Sequence, residues 1–257
     1  MLLAHAAGRP QEWIVAHGPD PADDALARRF LALAARRALG EPIAYLVGAR
    51  EFYSRAFSVS PAVLIPRPET ELLVEVALQL VSARRSPRLL DLGTGSGILA
   101  VTLALERPDA AVVASDASVN ALAVARANAD ALGAGRIEFR AGDWWQALAP
   151  TDTAFDLIAS NPPYIASGDP HLGQGDLRFE PRQALTSGLA GDECIRRIVA
   201  GAPARLAAAR WLALEHGLEQ GAHCRHLLME RGFADVRTHR DLEGRERVTS
   251  GRWEPGR

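Results

Sequence analysis

The sequence predicts an α/β fold in which a mostly parallel sheet lies between two layers of helices, preceded by a small helical unit and a hairpin connector. Three observations carry this reading. From Arg88 onward, short apolar runs alternate with amphipathic stretches of helical period. The first run opens into a glycine-rich turn, GTGSG, that leads straight into a helix. The fourth run ends abruptly in Asn161-Pro162-Pro163-Tyr164, where proline removes amide donors and forbids a continued ladder.

The elements follow in chain order. From Asp20 the residues read as a helix start: Asp20 as cap, Pro21 at the first helical position, Asp23 and Asp24 in the first turn. Leu26, Phe30, Leu33 and Ala34 follow at helical spacing, and Gly40 ends the run. Residues 51–66, EFYSRAFSVSPAVLIP, switch to period two with aromatic and β-branched residues and read as a hairpin or extended connector. Helical period returns over 69–81 through Leu72, Leu73, Val76 and Leu80. Strands are expected at 88–92, 111–115, 136–140, 155–160, 210–215, 233–239 and 246–251. Helices are expected at 97–106, 118–130, 191–208 and 219–231.

Composition narrows the function. The chain has 257 residues, enough for one substantial core and a small extra domain, and 48% of them are apolar. With 29 basic against 31 acidic residues the net charge is −2, which disfavours generic nucleic-acid binding through a positive field. The two cysteines, Cys194 and Cys224, have no paired spacing, so neither a disulfide framework nor a cysteine-rich metal site is expected. No apolar run approaches the roughly 18 residues of a membrane span, and MLLAHAAGRP is too short for a secretory signal, so a cytoplasmic protein is expected.

The stretch LLDLGTGSGILA (89–100) is a strand, a tight turn and a helix start. Gly93, Gly95 and Gly97 let the backbone turn and approach a ligand, as in many nucleotide sites. The acids refine that choice. Asp91 stands just before the glycines, where it would repel a pyrophosphate but pair with a cation. Asp116 ends the next strand, well placed to accept hydrogen bonds from two ribose hydroxyls, and Asp143 is expected to end the third. A sulfonium nucleoside, S-adenosylmethionine, suits this ring of acids better than a dinucleotide does.

Asn161 and Pro162 suit an acceptor with a planar NH2 group, either an amide or the exocyclic amine of a base. Its lone pair is delocalised, so the nitrogen is a poor nucleophile. A site that accepts both hydrogens, through the Asn161 side-chain oxygen and the Pro162 carbonyl, fixes that nitrogen in line with the departing sulfur. Tyr164 can stack on the planar group.

The motif DLGTGSG, the acid at 116 and NPPY resemble the S-adenosylmethionine-dependent amino-methyltransferases. The segments 41–75, 169–191 (DPHLGQGDLRFEPRQALTSGLAG) and 212–221 (LALEHGLEQG) are similar to the HemK-type protein-(glutamine-N5) methyltransferases, over roughly residues 30–257. These enzymes methylate the glutamine of the Gly-Gly-Gln motif in peptide chain release factors. The resemblance implies a Rossmann-like seven-stranded methyltransferase sheet, S-adenosylmethionine as cofactor with S-adenosylhomocysteine as product, and release factors as protein substrate. From the residues themselves, the balanced charge and the lack of a long apolar run, we expect no stable nucleic-acid partner and no membrane, and no metal is expected. The lack of an apolar stripe that would force association leads us to expect a monomer. The resemblance assigns Asn161, Pro162 and Tyr164 to catalysis and Asp91, Gly93, Thr94, Gly95, Gly97, Asp116, Asp143, Trp144 and Asn161 to the cofactor. Asn161 to Tyr164, Arg67, Pro68, Glu69, Glu180 and Pro181 are assigned to the substrate. The domains implied are an N-terminal helical domain (1–50), a β-hairpin connector (51–66) and the methyltransferase domain (67–257). Family members carry further helical sequence ahead of LLAHAAGRP, so the first domain reads as shortened.

NPPY alone does not separate a glutamine amide from a base amine such as adenine N6. The absence of a basic recognition segment favours the amide. A cofactor-binding module without catalysis would show a damaged glycine loop or lack Asn161, and a dehydrogenase would need a hydride-transfer site; neither is seen.

Overall fold

The computed structural model describes residues 1–255. Four helices come first: α1 (Leu2–Ala7), α2 (Gln11–Ala16), α3 (Asp24–Ala38) and α4 (Ile43–Val47). The cap of α3 is Asp23, not Asp20: its carboxylate accepts the Leu26 amide at 2.6 Å. The half-buried face Leu26, Phe30, Leu33, Ala34 begins only there, so a helix started at Pro21 would gain a turn with nothing to bury. Helices α1 and α4 pack on α3.

The connector is a hairpin over a shorter span than 51–66. Strands β1 (Ala49–Phe52) and β2 (Arg55–Ser58) pair antiparallel. Tyr53 and Ser54 between them both have positive φ, the two-residue turn whose twist matches paired strands. Val59 to Pro66 then leave the ladder and run on as extended chain and a turn. Phe52 and Phe57 are buried edge to face in the main core, which seats the hairpin on the larger domain.

After α5 (Thr70–Leu80) come β3 (Arg88–Leu92), α6 (Ile98–Glu106), β4 (Ala111–Asp116), α7 (Val119–Leu132), β5 (Glu138–Ala141) and β6 (Phe155–Ser160). The chain continues through α8 (Glu193–Gly201), β7 (Leu206–Glu215), α9 (Gly221–Glu230), β8 (Phe233–Arg240) and β9 (Glu246–Trp253). The seven strands β3 to β9 form one sheet in the order β5-β4-β3-β6-β7-β9-β8. The first five in that order are parallel, and β9 pairs antiparallel with both β7 and β8. This is the seven-stranded Rossmann-like sheet expected, with helices on both faces.

Alternation along the strands divides the core. Leu89, Leu157 and Ala213 face a cluster with Leu73, Ala77 and Leu99 of α5 and α6. Leu90, Ile158, Leu212 and Leu214 face one with Ile195 of α8 and Leu228 of α9. Several boundaries differ from the sequence expectation. The helix expected over 191–208 stops at Gly201, because Pro203 offers no amide to extend it and sits instead in a short 3-10 turn, Ala202–Ala204. Strand β7 starts early, at Leu206, through a register shift near Ala209, a residue with positive φ. Strand β5 is displaced to Glu138–Ala141, which leaves Asp143 beyond its end as the cap residue ahead of a 3-10 turn, Trp144–Ala147.

Gly97 caps α6 at φ 85°, and a Cβ there would lie 3.1 Å from Ala125 Cβ on α7. Both the left-handed backbone and the close approach need glycine. Gly97→Ala is expected to cost about 2–4 kcal/mol in urea unfolding, the sum of backbone strain and overpacking.

Candidate functional site

The chain passes from β3 through β4 to β5 on one side and returns with β6 on the other side of β3. At such a reversal the carboxyl ends of neighbouring strands diverge and leave a crevice. A cavity of about 340 Å³ opens there. Asp91, Gly93, Thr94, Gly95 and Asp116 line it from β3 and β4, and Asp143, Trp144 and Asn161 from the loops after β5 and β6. All the residues assigned to the cofactor therefore converge except Gly97, which packs against α7 and does not line the cavity.

The glycine loop closes on the fold itself. The Gly93 and Thr94 amides donate to the Ser115 carbonyl at 2.8 and 2.9 Å, the Gly95 amide to Asp116 Oδ2 at 2.9 Å, and the Gly97 amide to the Thr94 carbonyl at 2.8 Å. A pyrophosphate would need such amides unclaimed. With them spent and Asp91 and Asp116 facing the space, the lining suits a cation carrying hydroxyls. Asp116 Oδ1 also accepts the Ser118 amide at 2.8 Å, and lone pairs remain on both oxygens for two ribose hydroxyls.

Asp91 is 2% exposed, and its Oδ2 accepts the Thr94 hydroxyl at 2.6 Å and the Ala100 amide at 3.2 Å. Burial pushes its pKa up to about 7 against those bonds. A cation bound beside it would pull that value back down. Asp143 is held by an ion pair to Arg197 of α8, whose carbonyl accepts the Trp145 indole at 2.9 Å. Arg197 and Cys194 of α8 and Pro66 and Thr70 near α5 also line the cavity; sequence reasoning assigned none of them, because only the tertiary fold brings α8 and α5 to these strand ends.

A smaller cavity of about 60 Å³ adjoins the first and shares Arg67, Asn161 and Pro163 with it. Pro162, Tyr164, Leu177 and Leu185 are among its other walls. Asn161 Nδ2 donates to Thr70 Oγ1 at 3.0 Å. Among the described residues nothing donates to Asn161 Oδ1 or to the Pro162 carbonyl, so two residues of the smaller cavity carry unclaimed acceptors. The Tyr164 and Ile165 carbonyls are not free in this way: Gln220 and the Ser187 amide donate to them at 3.1 and 2.9 Å. Burial raises the Tyr164 phenol above its ordinary value, so the ring is neutral.

The remaining substrate candidates stand around this mouth in other roles. Glu180 is buried; it accepts the Ile65 amide at 3.0 Å and ion-pairs with Arg67, so it holds the end of the connector and the Arg67 that follows it. Pro181 opens a 3-10 turn, Arg182–Ala184. Pro68 begins the turn into α5, its carbonyl accepting the Glu71 amide, and Glu69 pairs with Arg247 of β9 at 3.2 Å. Pro68, Glu69, Glu180 and Pro181 line neither cavity. His216 is buried, with Nδ1 on the Gly217 carbonyl at 2.9 Å and Nε2 on Thr249 Oγ1 at 3.0 Å, so it holds a loop.

Glu215, at the end of β7, is 1% exposed and burial raises its pKa to about 7. A carboxyl whose pKa rises on folding binds its proton more tightly when folded. Its contribution is therefore fully present below about pH 4.5 and lost as pH rises to about 7. Glu215→Gln is expected to remove that slope: relative to the parent, the variant gains on the order of 3 kcal/mol between pH 4.5 and 8 in urea unfolding.

Two family profiles match, a PrmC N-terminal domain over residues 1–48 and a methyltransferase small domain over residues 68–175. The chain is 51% identical over 251 residues to the release factor glutamine methyltransferase of Bordetella pertussis, covering 98% of this chain and 92% of that one. It is 53% identical to that of Burkholderia pseudomallei (98% and 90% covered) and 45% identical to that of Escherichia coli (98% and 90% covered). Among solved structures, a methyltransferase from Pyrococcus furiosus superposes with a TM-score of 0.59 at 16% identity, over 86% of this chain and 98% of that one. The T. thermophilus 16S rRNA methyltransferase, solved with AdoMet and guanosine, superposes at 0.58 and 22% identity over 79% and 49%. These two share the fold.

Proposed function

The chain belongs to the release factor glutamine methyltransferase family, and from that membership we propose how its residues carry out the reaction and which parts meet the substrate. It is a class I S-adenosylmethionine-dependent methyltransferase that methylates the N5 nitrogen of a release-factor glutamine, the one in the Gly-Gly-Gln motif. Bound S-adenosylmethionine supplies an electrophilic methyl on a sulfonium and leaves as S-adenosylhomocysteine. In our reading Asp116 accepts the ribose hydroxyls, Asp143 and Trp144 flank the adenine, and Asp91 with Gly93, Thr94 and Gly95 surrounds the methionine portion. Gly97 acts through the turn it permits rather than by contact.

The glutamine side chain enters the smaller cavity, where Asn161 Oδ1 and the Pro162 carbonyl each accept one hydrogen of its NH2. Both acceptors gain strength as positive charge builds on that nitrogen, so they stabilise the transition state more than the ground state. Tyr164 and Pro163 pack on the amide plane, and Arg67, steadied by Glu180, borders the mouth. Pro68, Glu69 and Pro181 support that border from behind. No general base is needed at the outset, because the nitrogen becomes acidic as the methyl arrives; its proton then leaves to water.

The domain division supports a division of labour: residues 1–50 and the connector 51–66 dock the release factor, and 67–257 carry the chemistry. The protein acts as a cytoplasmic monomer without a stable nucleic-acid partner. Among the described residues no helix is long and apolar enough to cross a membrane.

The two unclaimed acceptors at Asn161 and Pro162 carry this reading. Labelled S-adenosylmethionine is offered with a release factor, the same factor with its Gly-Gly-Gln glutamine replaced, and unmethylated double-stranded DNA. Label on the intact factor alone is expected; label on DNA would move the acceptor to a base amine. Asn161→Ala should lower kcat about 100-fold or more with cofactor affinity kept. Asp116→Asn should weaken S-adenosylmethionine binding about 10-fold by calorimetry.

A further inference from the structure

An amide side chain is nearly the same shape at both ends, so its partners decide which end faces a substrate. At Asn161 that choice decides the reaction. Oδ1 toward the pocket accepts a hydrogen from the substrate NH2; Nδ2 there would set donor against donor. The parallel register pairs Ser160 of β6 with Leu214 of β7, so Asn161 and Glu215 follow side by side at the sheet edge. Both belong to the strand face that carries Ala159 and Ala213, the face covered by α5, whose first residue is Thr70.

Among the described residues none closes a hydrogen bond to either carboxylate oxygen of Glu215, although both oxygens are fully enclosed. Burying a carboxylate without donors is costly, so donors beside it are the feature to seek. Two polar side chains lie near enough to draw its pKa down, the Thr70 hydroxyl and the Asn161 amide, each short of a closed hydrogen bond to it. Thr70 Oγ1 already accepts from Asn161 Nδ2 at 3.0 Å, and its own proton has no other acceptor among the described residues. Arg247 and Glu69 are the charges near this group, and they pair with each other at 3.2 Å.

We propose that Glu215 is a positioning residue that fixes the polarity of the Thr70–Asn161 pair, so that Asn161 presents its oxygen, and never its NH2, to the acceptor nitrogen. An ionised carboxylate can only accept. It takes the Thr70 proton, which leaves the Thr70 oxygen free only to accept from Asn161 Nδ2, and it can take the second Nδ2 hydrogen as well. Both amide hydrogens then point away from the pocket. Neither Glu215 nor Thr70 reacts; each acts through Asn161. This inference rests on the reading that Asn161 grips a planar NH2.

The test uses the full chain at about pH 8.5, where Glu215 is ionised. Glu215→Gln keeps the shape but adds a donor, so Thr70 can turn its proton toward Asn161 and let the amide flip. Its kcat should fall about 10- to 100-fold, with KM for the release factor and S-adenosylmethionine affinity each within about threefold of the parent. Thr70→Val should show the same split, and Thr70→Ser should recover most of the lost rate. The Glu215→Gln/Thr70→Val double variant should cost less than the product of the two single effects, because the two residues serve one amide. An unchanged kcat in Glu215→Gln would overturn the inference. A parallel loss of kcat, KM, cofactor affinity and thermal midpoint would overturn it too, since that is the signature of packing. If the parent chain labels DNA instead of the release factor, the glutamine reading falls separately. The same variants assayed on DNA then decide this inference, because an adenine amine is also a planar NH2.

Discussion

Parallel pairing of β4, β3, β6 and β7 is the constraint on which the site depends. Parallel strands all finish at one edge, so side chains far apart in sequence end there at neighbouring positions. Asp91 pairs in register with Ala114 and Ala159, and Ser160 with Leu214, which sets the spacing of Asp91, Asp116, Asn161 and Glu215 before any loop is considered. The side-chain period of two then sends Asp91, Asn161 and Glu215 toward the face covered by α5 and α6. A slip of one residue in β6 would turn Asn161 toward α8 and α9 and leave the crevice without its acceptor.

The loops that wall this edge are tied back to the sheet by buried polar groups. Asn128 of α7 accepts the Ser58 amide at 2.8 Å and donates to the Ser58 and Ser96 carbonyls at 3.0 and 2.8 Å, so one side chain joins the hairpin to the glycine loop. Glu180 joins the connector to the segment that follows NPPY. Gln220 uses its whole amide, accepting from the Gly217 amide and donating to the Tyr164 and Gly191 carbonyls, and so docks the NPPY turn on the loop after β7. The N-terminal helices reach the same region: Arg37 pairs with Asp176, and Arg178 donates to the Leu39 carbonyl at 2.6 Å. The N-terminal helices and the loops around the crevice are thus joined through hydrogen bonds that lose their acceptors if either side shifts.

The electrostatics of the pocket follow from burial more than from pairing. Among the described residues no cation ion-pairs with Asp91 or Glu215; both are enclosed, and both are pushed up to about 7. Such groups respond strongly to a neighbour: a cation arriving at Asp91 would stabilise its ionised form. Asp143, exposed enough to pair with Arg197, lines the same cavity.

The sequence by itself determined the fold class, the strand order of appearance and the chemical type of the site. Those features are local: GTGSG must turn, NPPY must end a strand, and an acid stands at the end of each of β3 and β4. Boundaries within helix-forming stretches were less legible. The α3 cap and the end of α8 depend on which apolar face finds a surface and on where Pro203 removes an amide. Only the tertiary structure decided that Gly97 serves packing, that Arg197 reaches Asp143, and that Thr70 and Glu215 stand beside Asn161. Thr70 and Asn161 are 91 residues apart, and no spacing along the chain encodes their contact. It exists because sheet register and the docking of α5 are set by burial summed over the whole core.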